Sequence, residues 1–247
     1  MRSGMWKITF REIKRTLGRY LTILAIIALG VGFVVGLKIT RSVMVATVSD
    51  YVSDQNLYDY ELLSTLGFTE DDVEVFARMS DVSAAVGSIS TDLLYESGED
   101  ELAVTFLSIT EGVNESYLVA GRMPESANEC VVDSRLMSED DIGSVITVAD
   151  NNDEDTLEML VYDEYEVVGI IENPLYLNFE RGTTSIGSGQ LSGYVLILED
   201  GFDTDYYTEI YIKYDHGYEI YSDEYEDFLD AHEDEADEIL TARVELR

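Results

Sequence analysis

Two histidines, one cysteine and one dense run of oxygen-bearing side chains are the residues of this chain that could do chemistry. His216 lies in the turn-like stretch "YDHGY" and His232 in a polar helical stretch. Neither has a second histidine or a cysteine at ligand spacing, so a transition-metal site is not expected. Cys130 sits in the apolar run "ECVVD", where a small buried side chain fits better than a nucleophile. As the sole cysteine it can form no internal disulfide, which leaves the redox compartment open. The run "DNNDEDTLE" at 150–158 clusters oxygens as a Ca²⁺ loop does. It lacks the glycine at the sixth position and the glutamate at the twelfth, so it reads as a solvated loop, with weak Ca²⁺ binding the alternative. "GTTSIGSG" at 182–189 is rich in glycine but has no lysine, which makes it a turn-rich loop and not a phosphate cradle. "NES" at 114–116 matches the glycosylation acceptor pattern. Carboxylates are so frequent that no pair stands out. No catalytic residue, metal site or cofactor is expected.

Charge and hydropathy say more. The 247 residues carry a net charge of −36, unevenly spread. Residues 1–41 hold eight basic side chains and one acid, Glu12, whereas residues 42–247 hold seven bases against 50 acids, a net −43. Such a region is repelled by phosphate backbones, so nucleic acid is not an expected partner. It suits a solvated surface facing a cation-rich exterior, with attraction of cationic ligands the sharper alternative.

Tyr20 to Leu37 contains no charged residue. Eighteen helical residues span roughly 27 Å, about the thickness of a hydrocarbon core. A cleaved signal would have a short basic start, a shorter apolar run and a small-x-small site. Here the basic start is nineteen residues long, and Lys38 and Arg41 close the run. The segment therefore reads as a retained anchor in the lipid bilayer of the plasma membrane. Six bases before it and two after it place the N-terminus in the cytoplasm and residues 42–247 outside. Upstream, Trp6, Phe10, Ile13, Leu17 and Tyr20 form a 3/4-spaced stripe with Lys7, Arg11, Lys14 and Arg15 largely off it, the pattern of a helix lying on the inner leaflet. Within the span, Ala28, Gly32 and Gly36 repeat at i, i+4, i+8 and would admit a close partner helix. No second apolar run of similar length occurs here, so the partner belongs to another chain or to a continuation of this one.

The expected organisation is a cytoplasmic amphipathic segment 1–19, a membrane helix 20–37, a stalk helix 38–56, an extracellular core 57–221 and a C-terminal helix 222–247, with the start of a coiled coil as the alternative reading of that last helix. No glycine or proline interrupts the chain between Leu37 and Leu66, so the helix can run on to about Gln55. Thr69 and Asp72 sit at capping-box spacing before Val73 and Phe76. Eight runs rich in Val, Ile, Tyr and Thr read as strands: "YDYELLSTLG", "VSAAVGSIS", "ELAVTFLSIT", "NECVVDS", "SVITVAD", "YEVVGII", "GYVLILE" and "TEIYIKY". From Ser222 a 3/4 spacing returns through Tyr225, Phe228, Leu229, His232, Ala236, Ile239 and Leu240. The fold class expected is α+β with mixed or antiparallel sheets.

The stretch "FREIKRTLGRYLTILAIIALGVGFVVGLKIT" resembles the start of ABC-transporter permeases of the FtsX/MacB type, especially the long ones of Gram-positive bacteria. "YLVAGRMPESANECVVD" is similar to the family segment L-x-x-G-R-x-P…E-x-V-V through Leu118, Gly121, Arg122, Pro124, Glu129, Val131 and Val132. "DIGSVITV", containing Gly143, "YEVVGIIENPLYL", containing Gly169, and "GTTSIGSGQLSGYVLI" look like the strands and loop that follow. The resemblance covers nearly the whole chain. It implies a MacB-like extracellular core and a permease subunit without catalysis of its own. It also implies a separate cytoplasmic ABC ATPase, and further permease helices or a second permease copy as membrane partners. Motion driven by ATP would reach the core through the first helix and stalk. In residues 42–247 themselves, Gly121 and Pro124 bracket a turn, Arg122 is free to pair with acids, and Gly169 sits within a strand, where bulges form. The family has three more membrane helices after the external domain, and none is present here, so a truncated or split permease is expected. The alternatives are a single-pass acidic surface protein that binds a cationic ligand and, for want of any nucleophile–base set, more remotely an external enzyme.

Overall fold

The computed structural model describes residues 10, 11, 14, 17–98 and 100–245. Of the amphipathic stripe expected over Trp6–Tyr20, Trp6 and Ile13 lie outside them. The chain divides into two compact units, Met1–Asp50 and Tyr51–Arg247.

Helix α1 runs unbroken over Leu17–Asp54, so the apolar span and the stalk are one element. None of its residues is buried. Lipid offers a hydroxyl no partner, and Thr22 in the apolar span donates to Gly18 O one turn back; Thr40 and Thr47 on the stalk make the same bond to Gly36 and Val43. The helix ends where Asn56 enters the left-handed region, at φ 46°. The Leu57 amide donates to Val52 O at 3.0 Å and the Asn56 amide to Ser53 O at 3.3 Å, the paired bonds of a Schellman cap.

The second unit is an α+β domain with two sheets. The smaller has the order β1 (Tyr60–Phe68), β10 (Tyr207–Tyr214), β2 (Val82–Ser88), all antiparallel. The larger has the order β3 (Ser90–Ser97), β4 (Asp100–Ser108), β9 (Gly193–Ile197), β6 (Glu129–Asp133), β8 (Glu164–Glu172), β5 (Tyr117–Gly121), with β7 (Val145–Thr147) also on β8. Its pairings are mixed: β4 with β9 and β6 with β8 are parallel. The whole larger sheet is thus inserted between β2 and β10 of the smaller one.

Helices α2 (Glu70–Phe76) and α4 (Asp223–Glu245) cover the smaller sheet, around Leu62, Phe76, Ile210, Ile212 and Ala236. The expected capping box forms: Thr69 and Asp72 exchange hydrogen bonds, and Val73 and Phe76 point inward. Ser222 accepts from the Tyr225 amide and starts α4. The larger sheet buries both faces. Phe106, Val132, Tyr165 and Ile197 pack on one side, and Val131, Ile171, Tyr194 and Leu196 on the other. Burial on both faces explains why "GYVLI" is apolar at every position.

Two strands depart from the sequence reading. "STDLLYES" forms β3 and "YLVAG" forms β5, neither of which was expected as a strand. They are the two edges of the larger sheet. In β3 the polar residues Ser90, Thr91, Asp92, Glu96 and Ser97 flank only three large apolar ones, and β5 is five residues long with no buried position, so neither shows a clear alternation. The acidic run at 150–158 also differs from a solvated loop. Asn152 zips onto β3 by accepting from the Leu94 amide and donating to the Leu94 carbonyl, each at 2.8 Å, and Asp153 caps the short helix α3 (Glu154–Glu158).

Candidate functional site: the joint between helix and core

The end of α1 is held from two directions. Its last carbonyls, left open by the helix, accept from the loop after β4: Glu115 N–H to Gln55 O at 2.8 Å and Asn114 N–H to Asn56 O at 2.9 Å. The Asn114 side-chain oxygen accepts from the Tyr58 amide at 3.0 Å. Asn114 is therefore buried structure, and the "NES" pattern is no accessible glycan acceptor. From the other direction, Lys213 on β10 donates to Leu57 O at 2.7 Å.

One residue further on, the Asp59 carboxylate is almost wholly buried, with 1% of its side chain exposed. It accepts from the Tyr214 amide at 2.9 Å, the Tyr225 hydroxyl at 2.8 Å and Lys213 Nζ at 3.2 Å. His216 Nε2 lies 3.3 Å away. The Tyr218 amide donates to His216 Nδ1, so Nε2 carries the proton and gives it toward Asp59. Burial, reinforced by the Asp59 charge, pushes the Tyr225 hydroxyl well above the usual tyrosine range. Asp59 therefore gathers the start of β1, the end of β10 and the first turn of α4 on one carboxylate. Nothing in the sequence marks this acid among 51, because its partners lie more than 150 positions away.

The two histidines, read as separate, meet on either side of Phe228. Ring centroids are 5.7 Å from His216 and 4.2 Å from His232. His232 Nδ1 donates to Phe228 O at 2.8 Å, and Nε2 faces Asp81 at 3.4 Å. The cluster is aromatic packing under α4. Among the described residues no group of three His, Cys, Asp or Glu could hold a metal ion. Cys130 is fully buried, and burial pushes its thiol far up, which keeps it inert as a nucleophile.

A second constellation lies at the far edge of the larger sheet. Gly121 pairs with Gly169 across β5 and β8. Gly121 has φ 80°, and a Cβ there would come within 2.3 Å of the Val168 carbonyl. A Cβ on Gly169 would meet the Arg122 carbonyl at 2.4 Å. The register between β6 and β8 shifts beside Gly169, and the bulge brings the two backbones together. Arg122 grips Glu129 through two bonds of 2.7 and 2.5 Å, and Glu129 also accepts from the Glu125 amide at 2.8 Å. The Arg122 guanidinium and that amide hold the Glu129 carboxyl down to about 2. Pro124 is buried inside the turn so closed. Gly143, at φ 92°, delivers its amide to Val167 O and leads into β7. These five positions and Glu129 build a turn that braces the sheet edge. Ala28, Gly32 and Gly36 lie on α1, and no atom stands within 4 Å of a Cβ added at Gly32 or Gly36.

The described chain is one long apolar helix leading into an α+β domain in which one sheet is inserted into another. The family model described as "MacB-like periplasmic core domain" matches residues 20–220, and the chain belongs to that family. Among solved structures it is similar to the extracellular domain of the noncanonic ABC-type transporter YknZ from Gram-positive bacteria. That likeness is 12% identity and a TM-score of 0.42, over 62% of this chain and 76% of that one. It is also similar to the periplasmic region of MacB from Actinobacillus actinomycetemcomitans, with 11% identity, TM-score 0.38 and coverage of 69% and 75%. A domain of a putative permease from Porphyromonas gingivalis follows, with 13% identity, TM-score 0.35 and coverage of 62% and 63%. No curated protein matches the chain significantly.

Proposed function

We propose that this chain is the permease subunit, or the N-terminal part of one, of an FtsX/MacB-like ABC transporter. Its N-terminus lies in the cytoplasm, where a separate ABC ATPase hydrolyses the nucleotide. Other permease helices, or a second permease copy, pack on the face of Ala28, Gly32 and Gly36. ATP-driven motion passes along α1 to the extracellular core. The observation that carries this reading is the joint. A helix that only tethered a domain could end in a loose linker, but this one ends in a Schellman cap clamped by amides 114 and 115 and by Lys213. A displacement at Asp54 is thereby delivered to both sheets, as a coupling rod requires.

The test is co-purification from native membranes. Wild-type chain should bring down an ATPase and further permease helices. Gly32→Leu and Gly36→Leu should lose them while still inserting, since a side chain there fills the groove a partner helix would use. Recovery of the wild-type chain alone would refute the reading.

A further inference from the structure

Residues 42–247 hold seven basic residues against 50 acids, and five of the six among the described residues are paired. Arg78 pairs with Glu74, Arg122 with Glu129, Arg181 with Asp133, Lys213 with Asp59 and Arg243 with Asp72. Arg135 is the exception: among the described residues of the core no carboxylate pairs with it. Its guanidinium is nonetheless held in place, 3.6 Å from the centre of the exposed Phe179 ring. Stacking uses the face of the guanidinium and leaves its edge, with the N–H donors, unused.

Arg135 lines a cavity of about 230 Å³ with Tyr51, Ser134, Glu172, Leu177 and Asn178. Arg181 is also in the wall, but its donors are consumed by Asp133 and by the carbonyls of Tyr176 and Asn178. It shapes the cavity and has little left to bind with. Glu172 is the complementary case. Its one side-chain hydrogen bond among the described residues is a long one, from Ser134 Oγ at 3.5 Å. Ser134 is the neighbour of Arg135 in sequence, so the two uncommitted charges face one cavity without closing on each other.

We propose that this cavity binds a small zwitterion of amino-acid size, its carboxylate taken by Arg135 and its ammonium by Glu172. The charge of the domain favours this class over its halves. A simple anion is repelled by a surface of net −43, and a simple cation finds 50 carboxylates and has no use for Arg135. A net-neutral molecule escapes both effects, and Leu177 and the Tyr51 ring offer its side chain apolar wall. The size of the cavity fits a free amino acid and is too small for a folded segment. The site stands independently of the transport reading, because occupancy is measured without transport.

The experiment is equilibrium dialysis of radiolabelled L-leucine against the full chain in nanodiscs. Saturable binding is expected, competed by unlabelled leucine, and at least about tenfold less well by N-acetyl-leucine or leucinamide, each of which lacks one charge. Arg135→Gln and Glu172→Gln should each weaken binding about tenfold or more, while Arg78→Gln, on the exposed pair with Glu74, should not change it. As a check that needs no variant, leucine should slow modification of Arg135 by phenylglyoxal in the wild-type chain. Absence of saturable binding, affinity unchanged in Arg135→Gln, or no protection of Arg135 would each overturn the site. Equal competition by N-acetyl-leucine would overturn the zwitterion assignment.

Discussion

The two sheets of the core are built for different tasks. The larger, seven-stranded sheet buries both faces, and its β8–β9 loop is pinned to the end of β6 by the Asp133–Arg181 pair, 0% and 6% exposed. The smaller, three-stranded sheet packs one face under helices and buries Tyr211 on the other, and the chain enters and leaves the core through it. α1 feeds β1, β10 feeds α4, and the larger sheet is inserted between β2 and β10. In the proposed function the larger sheet is the load that is moved, and the smaller one is the node through which α1 and α4 connect to it. A polar network at the node, centred on Asp59, costs more to desolvate than an apolar contact would. It also fixes the geometry of three elements at once, which an apolar contact could not do.

Breaking the larger sheet's internal lock should have the largest effect. Arg181→Ala leaves the fully buried Asp133 carboxylate without its partner and should cost about 3–5 kcal/mol. In hydrogen exchange of the full chain, protection should fall across 133–135 and 174–197 while β1 and β10 keep theirs. Uniform loss in both sheets would show that they are not separate units. Asp59→Asn is the matching change at the node. It removes the charge that holds Lys213, the Tyr214 amide and the Tyr225 hydroxyl, and should cost about 1.5–3 kcal/mol. Exchange should accelerate at 57–60 and in the first turn of α4, with the larger sheet unaffected.

Acid separates the regions in another way. Asp72 sits between α2 and α4. Burial opposes its charge, but the Thr69 amide and hydroxyl and the Arg243 guanidinium outweigh burial and lower its carboxyl to about 2. A carboxyl lowered on folding stabilises above its unfolded value, near 3.9, and loses that contribution as pH falls toward the folded one. Protease cleavage within α4 should therefore rise between about pH 4 and pH 2. Asp72→Asn should show the higher cleavage already at neutral pH and no further change in that window. The smallest effects sharpen the account of the sheet edge. Gly121→Ala, which meets the Val168 carbonyl in a left-handed conformation, should cost about 1–3 kcal/mol. Arg122→Ala, in a pair whose arginine is 47% exposed, should lower stability less than Gly121→Ala does in denaturant titration. The reverse order would mean that the ion pair, and not the backbone approach, holds this turn.

The sequence by itself determined what depends on neighbours along the chain. Eighteen uncharged residues make a span, and the absence of glycine and proline carries that helix to its end at Asp54, close to the expected Gln55. Thr69 and Asp72 write their cap within four positions, and the eight expected strands are those whose burial leaves a clear apolar record. β3 and β5 left no such record, since β3 is mostly polar outside Leu93, Leu94 and Tyr95 and β5 is five residues with none buried. Only the tertiary structure decided the rest. Whether Asp59 is one acid among 51 or the hub of the joint depends on Lys213, Tyr214 and Tyr225 returning from more than 150 positions away. The same holds for Arg135: the five pairings that leave it over are made in three dimensions. Local patterns record propensity and burial. A polar network records which distant groups finally share a dry space, and a single sequence carries no periodicity for that.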